Sequence, residues 1–278
     1  MNKHHVIIVG AGICGLICAK TLVSYGVNVT ILEADKQSGG NIRETNLANT
    51  PIELGPQCFL TPHTQGASNL ILIQMLNQAK IPYQILDFNA HNIAVYQKDG
   101  TPIDTLQLSE HFLNAEQALH IAFEEAKNFS ENISLKEALG YLDSPCHAIN
   151  RSTERTIINL WLNHIYGLSI DKTPALCEKN SRLMHVNQHA LILPQAPLSH
   201  VIDTLISQIS HLAQQNDCLF TLLHNQAVTA IDYQHSNSVA IQTHSGTVMG
   251  NAAIVTVPHA ILKSHNIHNR ICLIKVFY

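Results

Sequence analysis

Three glycines and one acid have types and spacing that fit a specific chemistry. Gly10, Gly12 and Gly15 form G-x-G-x-x-G, and Glu33 follows Gly15 by eighteen residues. In a dinucleotide site the first glycine permits a tight turn, the second lets the backbone approach a pyrophosphate, and the third lets a helix pack closely on a strand. Ala11, Ile13 and Cys14 supply the backbone between them. The free N–H groups of the helix N-terminus, at its positive dipole end, would meet the phosphates. Glu33, with Ala34 beside it, is placed to accept hydrogen bonds from an adenosine ribose. A carboxylate there repels a 2'-phosphate, which argues against NADP.

Those residues meet only if the surrounding chain forms strand, turn, helix and strand in that order. His5 to Val9 is a short β-branched run, and Val27 to Leu32 is another. Between them, Ile13 to Tyr25 places Leu16, Ile17, Ala19, Leu22 and Val23 at helical spacing, and Gly26 ends the helix. The uncharged run Val6 to Ala19 has the look of a signal-peptide core, but it holds three glycines and is too short to span a bilayer. Cys14 and Cys18, one helical turn apart, read as small residues packing a helix on a sheet rather than as a redox pair.

Composition narrows the partners. The chain has 278 residues, 46% of them hydrophobic, enough for one large domain or two smaller ones. A net charge of -4 with 13% charged residues leaves no basic stripe, so nucleic acid is not an expected partner. The 18 histidines are scattered. His265 and His268 have metal-like spacing, but no cysteine or carboxylate joins them in sequence, so no metal site is assigned. Seven cysteines without a C-x-x-C pair fit a reducing, cytoplasmic setting, which leaves room for peripheral association with a membrane.

A second glycine pair, in Ser38-Gly39-Gly40-Asn41-Ile42-Arg43, follows soon after Glu33. With it, "GAGICGL…ILEADKQSGGNIRE" resembles the flavin-binding monoamine oxidase superfamily, which includes protoporphyrinogen oxidases, phytoene-type desaturases and amine oxidases. The resemblance implies FAD, with Gly40 and Asn41 against it. After a threonine- and asparagine-rich loop comes "IELGPQCFL", Ile52 to Leu60, then the amphipathic "GASNLILIQMLNQAK" and "IPYQIL". These resemble the protoporphyrinogen oxidase branch. By that resemblance Gly55, Pro56, Gln57 and Cys58 face the flavin end of FAD, where glycine permits close approach and proline fixes φ without leaving an N–H to satisfy. Val228 would offer its backbone to the adenine.

The expected fold is α/β: a Rossmann-like FAD-binding domain, with a parallel sheet and an antiparallel β-meander, carrying an inserted, mainly helical substrate domain. Residues 1–80 and 195–264 make the first, 81–194 the second, and 265–278 a tail without family counterpart. Within the insert, Asp99-Gly100 marks a hairpin spanning Ile93 to Ile103. Ser109 to Asn128 has helical spacing, Ser134-Leu-Lys-Glu137 is a capping box, and Ser144-Pro145 opens a helix toward Trp161 and Tyr166. "IYGLSIDKTPAL" resembles a family segment through Tyr166 and Gly167. Leu198 to Gln214 is amphipathic, with Val201, Ile202, Leu205, Ile206, Ile209 and Leu212 on one face. Pro197-Leu198-Ser199 stands where the family has Gly-Gly. Strands are expected at Ala227 to Tyr233, Val239 to Thr243 and Thr247 to Val257, with turns at Ser236-Asn237 and Ser245-Gly246.

The resemblance runs from Val6 to Leu262 and then stops, so the chain reads as a C-terminally truncated or frameshifted member. It implies hydride transfer from a reduced tetrapyrrole, protoporphyrinogen IX, to the flavin in heme biosynthesis. Against that specificity, residues 83–108 contain no arginine to hold a propionate, and Lys98 is their one cation. The alternatives are another amine oxidase or desaturase-type flavoenzyme, or an inactive FAD-binding remnant. No side chain is assigned as catalytic acid or base.

Overall fold

The computed structural model describes residues 3–62, 71–87, 96, 99–128, 133–141, 156–160, 169–175, 189–235, 238–263 and 267–269. The chain divides into two compact units, one of Met1–Phe59, Gly66–Gln84 and Ile192–Tyr278, the other of Leu60–Gln65 and Ile85–Leu191.

In the first unit, strands β1 (His5–Val9), β2 (Asn28–Leu32), β8 (Phe220–Leu223) and β12 (Ala252–Val255) form a parallel sheet in the order β12-β1-β2-β8. Side chains alternate across a strand, and the sheet uses both faces. Ile8 and Ile31 join a core with helices α1 (Ile13–Ser24) and α5 (Ser199–Gln215), to which α2 (Ile71–Gln78) adds Ile73, Met75 and Leu76. Ile7, Val9 and Leu32 pack with the meander of β9 (Val228–His235), β10 (Ser238–Thr243) and β11 (Gly246–Gly250). A two-residue strand β13 (His268–Asn269) runs parallel to β9. α1 buries Leu16, Ala19 and Val23; α5 buries Val201, Ile202, Leu205, Ile209 and Ala213, the periodicity of an amphipathic helix.

Two features of this unit differ from the sequence reading. The run Thr247 to Val257 is two strands, because Asn251 pivots the chain from the meander to the parallel sheet. The His5 N–H donates to the Asn251 side chain at 2.8 Å, and the Asn251 N–H donates to the His5 carbonyl at 2.7 Å. The loop before Ile52 is a hairpin of β3 (Glu44–Leu47) and β4 (Thr50–Glu53). Its turn puts Ala48 at φ 48° and Asn49 at φ 65°, the double left-handed geometry that suits a two-residue hairpin.

A further sheet has the order β5 (Phe59–Pro62), β7 (His189–Pro194) and β6 (Tyr83–Asp87). In the second unit, α3 (Thr105–Ala126) and α4 (Leu135–Tyr141) share a core in which Ala115, Ala118, Leu119, Ala122 and Ala126 meet Leu135, Ala138, Ile157 and Ile158. The alanines let the helices approach closely. The capping box forms: Glu137 accepts the Ser134 N–H at 2.8 Å while the Ser134 hydroxyl accepts the Glu137 N–H at 3.2 Å. A bridge pairs Tyr96 with Pro102 around the Asp99-Gly100 turn. The expected features at Ser144-Pro145, Trp161, Tyr166, Gly167, Lys98, Ser236-Asn237 and His265 lie outside the described residues. Among the described residues, no helix is long and apolar enough to cross a membrane, and no three His, Cys, Asp or Glu side chains are grouped to hold a metal.

Candidate dinucleotide site

The glycine turn leaves β1 at Gly10, whose φ of 104° excludes most side chains, and whose N–H donates to the Leu32 carbonyl of β2 at 2.8 Å. Its three glycines are needed for different reasons. A Cβ on Gly15 would lie 2.1 Å from the Gly10 carbonyl oxygen, so α1 packs on the turn only because this residue lacks one. At Gly12, by contrast, an added Cβ would find nothing nearer than the Gly40 Cα at 3.9 Å. Gly12 therefore leaves open space at the turn, a cradle that a side chain would fill. It is also the N-cap of α1, in extended backbone and with no side-chain cap, and the first intrahelical bond runs from the Leu16 N–H to the Gly12 carbonyl at 3.0 Å. The N–H groups ahead of Leu16 and the positive helix end are thus available to an anion. Cys14, in this first turn, is exposed.

Glu33 closes the other side of the turn. One carboxylate oxygen accepts the Ala11 N–H at 2.7 Å and the other accepts the Asp35 N–H at 2.9 Å. A carboxylate has about four acceptor positions, so each oxygen keeps capacity for a ribose hydroxyl. The backbone on both sides of Ala34 is tied down, because the Glu33 N–H donates to the Leu223 carbonyl and the Gln226 N–H to the Glu33 carbonyl.

The second glycine pair lies directly on the first. The Gly39 N–H donates to the Ala11 carbonyl at 2.9 Å, Gly12 and Gly39 form a parallel bridge, and a Cβ on Gly40 would come 3.2 Å from the Gly12 Cα. Arg43 steadies this loop by donating to the Gly40 carbonyl at 2.8 Å and pairing with Asp35 at 2.7 Å. The Asp35 carboxyl is held below its ordinary range, chiefly by the Lys36 N–H and then by Arg43. The next layer is "IELGPQCFL". A Cβ on Gly55 would collide with the Asn41 carbonyl oxygen, and the Leu54 N–H donates to the Arg43 carbonyl at 2.7 Å. Gly55 is thus required by its approach to Asn41 whether or not a ligand is near. Pro56 is half-buried, Gln57 is exposed, and burial pushes the Cys58 thiol up. Val228 begins β9, with its side chain in the same buried core cluster as Leu32.

Several residues that hold this site have no local signal in the sequence. Thr256, just beyond β12, donates its hydroxyl to the carbonyls of Val9 at 3.0 Å and Gly10 at 3.1 Å, bracing the turn from beneath. Ser38 and His224 are 2.9 Å apart, linking the loop after β2 to that after β8. Glu44 and Glu53 both reach the start of α5.

A parallel sheet, an uncapped helix behind an open glycine turn, and a carboxylate at the end of the second strand define a dinucleotide-binding α/β protein. The chain belongs to the flavin-containing amine oxidoreductase family, whose pattern matches residues 13–273 and so continues past Leu262. FAD is accordingly its cofactor, and the open turn, helix end and Glu33 fit that group. Over 62 residues the chain is 42% identical to L-amino acid oxidase Cdc18 of Crotalus durissus cumanensis, covering 22% of this chain and 12% of that protein. Over 59 residues it is 36% identical to hydroxyneurosporene desaturase of Rubrivivax gelatinosus, covering 21% and 11%. The structure of putrescine oxidase bound to putrescine superposes with a TM-score of 0.66 at 14% identity, over 96% of this chain and 60% of that one. The chain therefore spans less than two thirds of the length of these relatives. The likenesses reach the superfamily and do not single out the protoporphyrinogen oxidase branch.

Proposed function

We propose that residues 1–80 and 195–264 bind FAD and present it to a substrate held by residues 81–194, making the chain part of a flavin-dependent oxidase of small molecules. The open turn at Gly12 carries this reading. The pyrophosphate would lie on the N–H groups of Gly12 to Gly15, the ribose on Glu33, the adenine beside Val228, and the flavin toward Gly55, Pro56, Gln57 and Cys58. Gly40 and Asn41 would line the path between. Bound FAD supplies a two-electron hydride acceptor, and the chain supplies orientation and exclusion of water.

For the substrate, the resemblance of Glu53-Leu54-Gly55-Pro56 supports a reduced tetrapyrrole, protoporphyrinogen IX. A second reading, an amine, amino acid or polyene, is favoured by the names of the relatives and by the lack of an arginine in residues 83–108. The purified protein, reconstituted with FAD, should carry flavin absorbance near one per chain, and Glu33→Ala should weaken that binding. A colourless protein after reconstitution refutes the reading. Turnover of protoporphyrinogen IX, followed by porphyrin fluorescence beside amines and L-amino acids, decides between the substrate classes.

A further inference from the structure

Glu44 and Glu53 face each other across the β3–β4 hairpin as direct register partners. Both grip the first turn of α5. Glu53 Oε1 accepts the Leu198 N–H at 2.5 Å, and Glu44 Oε2 accepts the Ser199 hydroxyl at 3.0 Å. The other oxygen of Glu53 is buried with no hydrogen-bond partner among the described residues. Like charges directly across a strand pair repel, and a buried carboxylate oxygen without a partner is destabilising. The positive end of a 17-residue helix lies against both side chains and favours negative charge there.

What they hold lies beyond the hairpin. Immediately after Glu53, Leu54 bonds the Arg43 carbonyl and Gly55 abuts Asn41; the neighbour of Asn41, Gly40, rests on Gly12. An unbroken series of contacts thus runs from the start of α5 through Glu53, Gly55, Asn41 and Gly40 to the glycine turn. We propose that Glu53 is a positioning residue, which anchors the 39–43 and 53–58 loops to α5 and so preforms the flavin end of the cofactor groove. This rests on the FAD reading above.

The test separates the two halves of the cofactor by titrating apoprotein with FAD and, separately, with ADP. Removing the acceptor in Glu53→Leu should weaken FAD about tenfold or more, the range of one charge-assisted hydrogen bond, while ADP affinity stays within about twofold. Glu53→Gln, which keeps an acceptor for Leu198, should restore most of the FAD affinity. If Glu53→Leu does not fold, Ser199→Ala and Glu44→Leu remove the donor and the acceptor of the second bond to the same helix start without opening the core, and each should weaken FAD but not ADP. FAD affinity unchanged in these variants, or FAD and ADP weakened equally, overturns the proposal. A wild-type chain that binds neither nucleotide rejects the underlying site instead, and the proposal falls with it.

Discussion

One substitution made at two neighbouring glycines separates the part of the turn kept for the fold from the part kept for a ligand. In Gly15→Ala the new methyl would sit 2.1 Å from the Gly10 carbonyl oxygen and 2.9 Å from Thr256 Oγ1. Carbon atoms in contact rest about 3.5–4 Å apart, so the helix or the turn must give by about 1.5 Å or more. α1 has no slack to do so, because Leu16, Ala19 and Val23 are all fully buried. Overpacking of this kind destabilises by about 1–3 kcal/mol, and direct collision with backbone puts Gly15→Ala at the upper end. At about 2–4 °C per kcal/mol, the thermal midpoint should fall by about 6–12 °C. Gly12→Ala meets no protein atom nearer than 3.9 Å and needs no left-handed backbone, its φ being -71°. The fold should survive it with a change of less than about 1 kcal/mol. The methyl then occupies the space a phosphate needs. Each charge-assisted hydrogen bond lost contributes about 1.5–3 kcal/mol, so FAD should bind about 10- to 100-fold more weakly. Thermal unfolding without FAD, and fluorescence titration with it, measure the two effects independently. Equal loss of stability in both variants, or full FAD affinity in Gly12→Ala, would falsify the division of labour.

Thr256→Val should lower the unfolding free energy by about 1 kcal/mol and weaken FAD severalfold, with Thr256→Ser restoring both through its hydroxyl. A valine variant indistinguishable from wild type in urea unfolding and FAD titration would show that the bonds to Val9 and Gly10 do not brace the turn. Ala48 holds φ 48° in the β3–β4 turn, a region unfavourable by about 1–2 kcal/mol for a residue with a Cβ. Ala48→Gly should relieve that strain and, after the entropy glycine adds to the unfolded chain, raise the urea midpoint by up to about 1 kcal/mol equivalent. A lower midpoint would count against left-handed strain at this turn.

The residues that were legible in the sequence act within one short stretch of chain. Gly10, Gly12, Gly15 and Glu33 belong to a single β-α-β unit, so their spacing alone places them together. The buried face of α5 was equally plain, because its period is a property of the helix itself. What escaped reading depends on partners far away in sequence. Nothing in "AAIVTVP" marks Thr256 as the residue beneath Gly10, since that contact exists only after β12 has paired with β1. Nor does Thr247 to Val257 announce two strands, because the break is made by the exchange between Asn251 and His5. The β3–β4 hairpin went unread for a local reason: its turn uses Ala48 and Asn49 where asparagine-glycine would have been the signal.

Gly55 is required by a contact within the chain itself, independently of its expected place beside a flavin. A stiff Gly-Pro after a strand implies close approach, and the atom approached is the carbonyl of Asn41 in the neighbouring loop. That changes what Ile52 to Leu60 reports. Glu53 grips α5, Leu54 and Gly55 fasten the 41–43 loop, and that loop continues through Gly40 onto Gly12. The stretch is therefore a brace for the loops before it is a wall for a flavin. A brace of this kind serves any substrate whose oxidation needs FAD held in place. On the FAD reading proposed above, the contacts of "IELGPQCFL" bear on how the cofactor is carried and not on which molecule is oxidised, and we propose that specificity lies in residues 81–194.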